Sequence, residues 1–340
     1  MTVREIAELA GVSIGTVDRV LYKRGRVSAE TKAKIEAIIE RYQFTPNPVA
    51  RRLKRNRAYR FCALIPQGEQ DAGYWSQILA GINEAASEIA ALGAEIEIIE
   101  FDRYSQEKYQ AAADSILEKP PDGLIFSPIM PDRTRPFIEK IQASGIPCIF
   151  VDANLPGVEP LCAIGQDFVR GGYLAGRLMH LFAGKIRKPV AVLDLHGEDY
   201  HIIQRREGFL QYAREHHFPA LVQEYSGYKG TEISVEEISR FLRKNPELTG
   251  IFVTNSMAHR VAQAAKNRRK PRDFLLIGYD LVPNNHLALS EGRIDAIISQ
   301  RPEYQGREAL LNLYRRIVLE QQIPKKVDIP LDMYVKENIP

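Results

Sequence analysis

Residues 2–28 read TVREIAELAGVSIGTVDRVLYKRGRVS, and their punctuation decides the fold of the first segment. Thr2-Val3-Arg4-Glu5 has the S/T-x-x-E form of a capping box, which starts a helix at residue 3. Ile6, Leu9 and Ala10 then fall at i, i+3 and i+4, one apolar stripe. Gly11 supplies the turn, because a tight or left-handed backbone costs glycine little. Ser13 caps a second helix in which Val17, Val20 and Leu21 repeat the stripe. After the loop 22–27, Ser28 caps a third helix with Ile35, Ile38, Ile39 and Tyr42 turned inward. Helix, short glycine turn, helix is the helix-turn-helix pattern. Its polarity weakens the alternative of a bundle used only for packing. Arg4, Ser13, Thr16, Arg19, Lys23 and Arg24 cluster on or beside the second helix, where arginine can reach guanine edges and phosphates.

Charge separates this head from the rest of the chain. Residues 1–60 hold 14 Lys and Arg against six acids, a net +8, so a total of +3 leaves −5 for the other 280 residues. A basic head on a mildly acidic body predicts that the head meets a polyanion and the body does something else. At 340 residues and 45% apolar, the chain has material for about two domains and an appendage. No uncharged apolar stretch reaches the roughly 18 residues that span a bilayer, so no membrane association is expected. The first turns carry acids instead of a signal-peptide core, which predicts a cytoplasmic protein. Cys62, Cys148 and Cys162 stand in no CxxC spacing and read as small core residues.

The segment AGVSIGTVDRVLYKRGRVSAETKAKIEAIIERYQFTPNPVARRLK, residues 10–54, resembles the head of lactose-repressor (LacI/GalR) family transcriptional regulators. The family shows AGVS-x-x-TVSRVLN…VS-x-x-T…Y-x-PN-x-x-A-R-x-L, and the match runs over roughly the first 54 residues. The resemblance implies that Ile14, Gly15 and Arg19 face bases, and that Ser13, Thr16, Thr31 and Asn47 contact backbone phosphates. Two positions depart from the pattern. Asp18 stands where the family usually has Ser; it either orients Arg19 or Arg4 or accepts from a cytosine amino group. Gly15 replaces a side chain that commonly reads a base, so direct readout is thinner here. Residues 46–53, PNPVARRL, resemble the family's hinge helix, with Asn47, Ala50 and Arg51 on it and Leu53 as the apolar wedge that opens a base step. A helix this short is marginal in water and needs a partner to order it. A plain basic linker is the other reading, above all for Arg55 to Arg60, and loose cations there still add counterion-release affinity.

From Arg60 onward, apolar β-rich runs alternate with amphipathic helical stretches. Strands are expected at 61–65, 95–101, 123–127, 148–152, 190–195, 221–225, 250–254, 274–278 and 296–299. Helices are expected at 75–91, 106–117, 168–182, 202–215 and 233–242. Near-continuous apolar strands between helices mean parallel sheets buried on both faces. So many units predict an α/β body of two doubly wound lobes behind an all-α head, with a TIM barrel as the alternative. The expected division is a head over 1–46, a hinge helix and linker over 47–59, and a body over 60–340. One lobe would take about 60–163 and 301–323, the other about 164–300 and 324–340.

Ligands of open α/β sheets bind beyond the carboxyl ends of strands. Those ends present Asp152, Asn255, Asp280 and Gln300, with Tyr74-Trp75 after the first strand and Arg205 after the strand ending near Leu195. Aromatic faces with carboxylates, amides and one guanidinium suit a sugar, whose hydroxyls such groups hold. Taken singly, Tyr74-Trp75 could be core aromatics and any carboxylate a helix cap. The body also resembles the periplasmic sugar-binding-protein-like effector domain of the same family, of the ribose-binding type. The segments are IPCIFVD (146–152), IGQDFVRGGYLAG (164–176), QRREGF (204–209), IFVTN (251–255), LIGYD (276–280) and ISQRPEYQG (298–306). By position, the resemblance puts all seven side chains on ligand contacts; Ala153 replaces a second arginine of that group.

His196, Glu198, Asp199 and His201 fit no zinc spacing and read as a cleft rim; no metal or cofactor is expected. His216-His217 reads as a solvated helix end. No GxSxG, HExxH or GxxxxGK[ST] occurs, and Gly171-Gly172 lacks the GxGxxG of a dinucleotide site. The expectation is a homodimeric, sequence-specific DNA-binding regulator, a repressor of a pseudo-palindromic operator, controlled by a sugar-like effector and not catalytic. The alternatives are a sugar-processing enzyme with a fused DNA-binding head, or a regulator answering to a nucleobase or phosphosugar. Arg133, Arg135 and Arg170 are the cations that keep the phosphosugar reading open.

Overall fold

The computed structural model describes residues 1–21, 25–44, 58–195, 199–224, 233–265 and 274–340. The head is three helices, α1 (Val3–Ala10), α2 (Ile14–Leu21) and α3 (Ala29–Arg41). Thr2 and Glu5 complete the capping box, and Gly11 ends α1 at φ +68°. Ser13 and Ser28 accept from the backbone amides of Thr16 and Thr31, both at 3.2 Å. The core is Ile6, Ala7, Ala10, Val17, Val20 and Ile35. Leu9 is the first correction: it is 51% exposed, and Ala7 is buried instead. The buried seam of α1 therefore includes i+1 as well as i and i+4, because the helix packs against both α2 and α3. Tyr42 is the second. It sits past the last turn of α3 as its exposed cap, and Phe44 packs on the head core in its place. Lys23, Arg24, Asn47, Ala50, Arg51 and Leu53 lie outside the described residues.

The body is two six-stranded sheets. The first has order β11-β5-β4-β3-β1-β2, from β1 (Tyr59–Pro66), β2 (Ala94–Phe101), β3 (Gly123–Phe126), β4 (Cys148–Val151), β5 (Cys162–Gly165) and β11 (Lys326–Asp328). The second has order β12-β10-β9-β8-β6-β7, from β6 (Val190–Asp194), β7 (Ala220–Glu224), β8 (Gly250–Val253), β9 (Leu275–Tyr279), β10 (Ala296–Ser299) and β12 (Asp332–Tyr334). All pairs are parallel except β10 with β12. Two open sheets dispose of the barrel alternative. Helices α4 (Gln70–Ala90), α5 (Gln106–Glu118), α6 (Pro131–Ala143) and α12 (Pro302–Ile317) accompany the first sheet. Helices α7 (Phe168–Ala183), α8 (Tyr200–Glu215), α9 (Val235–Lys244), α10 (Ala258–Ala265) and α11 (Pro283–Ser290) accompany the second. Cys62, Cys148 and Cys162 are buried, with burial holding their thiols well above the ordinary range.

The chain crosses between sheets after β5, after β10 and between β11 and β12. The segment at 326–328, expected with the second lobe, pairs with β5 of the first, and β5 itself runs to Gly165. Gln166 ties all three crossings together. Its amide donates to the carbonyls of Ser299 (2.8 Å) and Pro330 (2.7 Å), and it accepts from the Tyr279 hydroxyl (3.0 Å). Arg60, expected as a loose linker cation, is locked into the first lobe instead. Its guanidinium donates to Glu97 and to the Lys119 carbonyl, and its backbone amide to Asp122.

Each lobe contains one helix pair pressed close enough to need glycine. A Cβ on Gly172 of α7 would lie 1.7 Å from the Arg205 carbonyl oxygen on α8, and one on Gly81 of α4 1.8 Å from that of Glu303 on α12. Gly172→Ala must push α8 outward, an overpacking cost of about 1–3 kcal/mol. Urea unfolding should show that loss as a lower midpoint.

Candidate functional site

Two strand ends facing each other across the crossings build the cleft. Asp152 follows β4 and Asp280 follows β9, and both hold left-handed backbone, φ +64° and +62°. Such angles cost a non-glycine residue free energy and persist where surroundings enforce them. For Asp152 the enforcing group is Gln305 of α12, which accepts from the Asp152 amide (2.9 Å) and donates to the Gln300 carbonyl (2.8 Å). For Asp280 it is Asn285 of α11, donating to the carbonyls of Asp280 (2.9 Å), Tyr279 and Ser256. Each lobe thus aims one carboxylate inward by the same device.

All seven side chains expected from the sequence, Tyr74, Trp75, Asp152, Arg205, Asn255, Asp280 and Gln300, line one cavity. Tyr74 donates to Asp152 (2.7 Å), and the Gln300 amide donates to Asp280 (3.0 Å). Arg205, 1% exposed, lies 3.7 Å over the Tyr279 ring and donates from Nη1 to the Thr254 carbonyl (2.9 Å). Its Nε and Nη2, the Asn255 Nδ2 and the Gln300 Oε1 are buried without a protein partner. Unpaired buried polar atoms are costly, so three donors and an acceptor aimed into one space mark a ligand surface. Burial pushes the Asp152 carboxyl up to about 6, against the pull of Arg205. Burial likewise pushes Asp280 up to about 7; Arg205 pulls it back and Asp152 adds to the rise.

The sequence reading missed Asp71, Arg103 and Ser256 altogether, and took Asp199 and His201 only as a rim. All five line the cavity. Arg103 stands two residues past β2, where the strand-end rule could have found it. Its guanidinium bridges the lobes, from Asp71 in the first to Asp199 in the second. Burial alone would lower its pKa; Asp199 and Asp71 outweigh that and hold it charged. Asp71, Ala72 and Gly73 form a left-handed turn at the start of α4, which tips Asp71 under the Trp75 indole (2.7 Å). Ser256 donates across the cleft to the Asp71 carbonyl (2.7 Å), and Gln77 to that of Leu281 (3.3 Å). With these bridges made, the cavity is about 20 Å³, the size of one water, so a larger ligand enters by parting the lobes.

In the head, Ser13, Ile14, Gly15 and Arg19 are exposed on one side of α2, opposite the buried Val17 and Val20. Thr16, Asp18 and Thr31 are half-buried, and the Thr16 and Thr31 hydroxyls meet Ser13 and Ser28 at the two helix starts. Arg4 pairs with Glu8 of its own helix (3.2 Å). The Arg19 stem runs beside the turn at Gly25, 3.6 Å from where a Cβ would stand. Among the described residues no group of acids, histidines and cysteines could hold a metal; His196 and Glu198 lie outside them. His216 and His217 are exposed. Arg133, Arg135 and Arg170 do not line the cleft, and Arg135 donates to the Pro156 carbonyl (2.9 Å).

Residues 62–320 match the periplasmic binding protein domain, and residues 2–47 match the bacterial regulatory proteins of the lacI family. The chain belongs to the lacI family of regulators. Curated relatives match over nearly its whole length. The HTH-type transcriptional repressor PurR of Actinobacillus pleuropneumoniae is 26% identical over 99% of this chain and 98% of its own. The HTH-type transcriptional regulator DegA of Bacillus subtilis is 27% identical over 99% and 97%. Among solved structures, a chain assigned as a LacI transcriptional regulator from Bacteroides fragilis superposes with a TM-score of 0.77 at 28% identity, over 83% of this chain and 98% of that one. The family's body is thus present here with its lobes bridged by a buried cation. Arg103→Met should cost about 3–5 kcal/mol, because it leaves two buried carboxylates without their cation. Adding Asp71→Asn and Asp199→Asn should recover most of that loss in denaturant unfolding.

Proposed function

We propose that the protein is a homodimeric transcriptional repressor whose affinity for a pseudo-palindromic operator is set by a sugar-like effector held between the lobes. The observation that carries this is the convergence of Arg205, Asn255 and Gln300, with unpaired buried polar atoms, on the same space as Asp152 and Asp280. A polyol offers each hydroxyl as both donor and acceptor, which answers donors and carboxylates together. The excess of carboxylates in the cleft disfavours a phosphosugar, and the curated relatives named as repressors and regulators favour regulation over sugar chemistry. Exposed Ile14, Gly15 and Arg19 on α2 suit the base-reading role, with Ser13, Thr16 and Thr31 at helix starts suited to phosphate. No helix among the described residues is long and apolar enough to cross a membrane.

Two substitutions separate the halves of the proposal. Arg19→Ala should cost about 1–3 kcal/mol at one base pair and relax specificity there, read by binding to operator variants. Equal weakening on every sequence would show instead that Arg19 meets only phosphate. Asn255→Ala should weaken the effector by about 1–3 kcal/mol, since a buried hydrogen bond is lost, while operator affinity without effector stays unchanged. An intact effector response in that variant would remove the cleft from the account.

A further inference from the structure

The charge inventory of the cleft narrows the ligand class. Among its described lining residues stand four carboxylates, Asp71, Asp152, Asp199 and Asp280, and two guanidiniums, Arg103 and Arg205. Arg103 is used up between Asp71 and Asp199. Arg205 gives one N–H to the Thr254 carbonyl and stacks on Tyr279, so it serves Asp152 and Asp280 together through space. Carboxylates therefore outnumber guanidiniums in the cleft by two. The hydrogen bonds around the two strand-end acids leave that excess of carboxylates in place: Tyr74 donates to Asp152 and Gln300 to Asp280, while the His201 ring lies 5.8 Å from that of Phe168. Uncompensated buried charge is expensive, and it is answered by an opposite charge or by a proton.

We propose that the effector is a monosaccharide-sized polyol carrying one positive charge, an amino sugar, with its ammonium on Asp152 and Asp280 and its hydroxyls on Arg205, Asn255 and Gln300. This rests on the cleft being the effector site. A neutral sugar leaves the excess in place, and a phosphate or acid sugar deepens it. An ammonium supplies the missing cation and donates to two acceptors on opposite lobes, so it ties the lobes together once they have parted to admit it. It also takes the place of a proton. Burial holds the two acids at about 6 and about 7, so both are partly protonated in mildly acidic solution. An ammonium favours their ionised forms, expels those protons, and binds more tightly as pH rises through that range.

The test is calorimetry on the full chain with D-glucosamine, D-galactosamine and D-mannosamine against D-glucose, D-galactose, D-mannose and the 6-phosphates of these hexoses. The expected result is one amino sugar binding about tenfold or more tighter than its neutral parent, the equivalent of one unit of pKa coupling. Its affinity should rise from about pH 5 to about pH 7, with protons released in paired buffers of different ionisation enthalpy. Asp280→Asn should narrow the amine-to-neutral ratio, a readout that loss of packing alone would not move. A neutral hexose binding as tightly as its amine, or any 6-phosphate binding best, overturns the charge argument and leaves the sugar site standing. If no member of the panel binds, the sugar reading falls and takes this inference with it.

Discussion

An ion moved out of water must find compensation close by, and that constraint shapes the middle of this molecule more than any other. Four carboxylates and two guanidiniums are buried where the two sheets point their strand ends at each other. Arg103 answers Asp71 within the first lobe, but Asp199 of the second lobe meets that guanidinium only when the lobes come together. Closure is therefore written into the charges themselves. The backbone strain at Asp71, Asp152 and Asp280 follows from the same need, since left-handed corners turn those side chains inward instead of onward along the chain. Gln305 and Asn285 hold two of the corners, and Gln166 keeps the three crossings in register, so the charged groups meet at fixed distances.

Much of this was legible because the rule that governs it is short-ranged. A parallel strand ends where its apolar run ends, and the next polar residue faces the cleft; Asp152 and Asp280 needed nothing more, and Asn255 stands one residue further on, after Thr254. Arg103 obeys the same rule but sits in FDRYS, beside Asp102, where a local ion pair is an equally good reading of the letters. Its true partners are 32 and 96 residues away, and no periodicity encodes a contact at that range. Asp71 was hidden for another reason. Asp-Ala-Gly at the head of a helix gives no sign that three consecutive residues turn left-handed. The strands β5, β11 and β12 are only three or four residues long, too short for a pattern, and the lobe boundary shifted with them.

The head shows the limit of helical periodicity in an element of eight residues. With two neighbours to cover, α1 buries a broad seam, and the position at its margin, Leu9, stays in solvent while the smaller Ala7 goes in. The recognition surface was easier to read than the core. Caps and turns fix where α2 starts, and a buried Val17 and Val20 leave Ile14, Gly15 and Arg19 no side to occupy but the outer one.

The junction between head and body constrains how the cleft could speak to DNA. Tyr59 donates to the Gly93 carbonyl (3.0 Å), and Arg60 is fastened to Asp122, Glu97 and the Lys119 carbonyl. The chain thus enters the first lobe already fixed to β2 and to the turn before β3. Opening or closing the second lobe about the three crossings leaves that attachment where it was. Among the described residues, the hydrogen bonds that fasten Tyr59 and Arg60 all go to the first lobe. A ligand can still bias operator binding if the second lobe also touches another copy, because the two first lobes, each carrying its head, then shift relative to one another. Allostery demands unequal ligand affinity for two arrangements of the whole assembly. A clamp at Arg60 carries the first lobe's position to the head, and two such bodies leaning on each other would turn a movement of the second lobe into a movement of the two clamps.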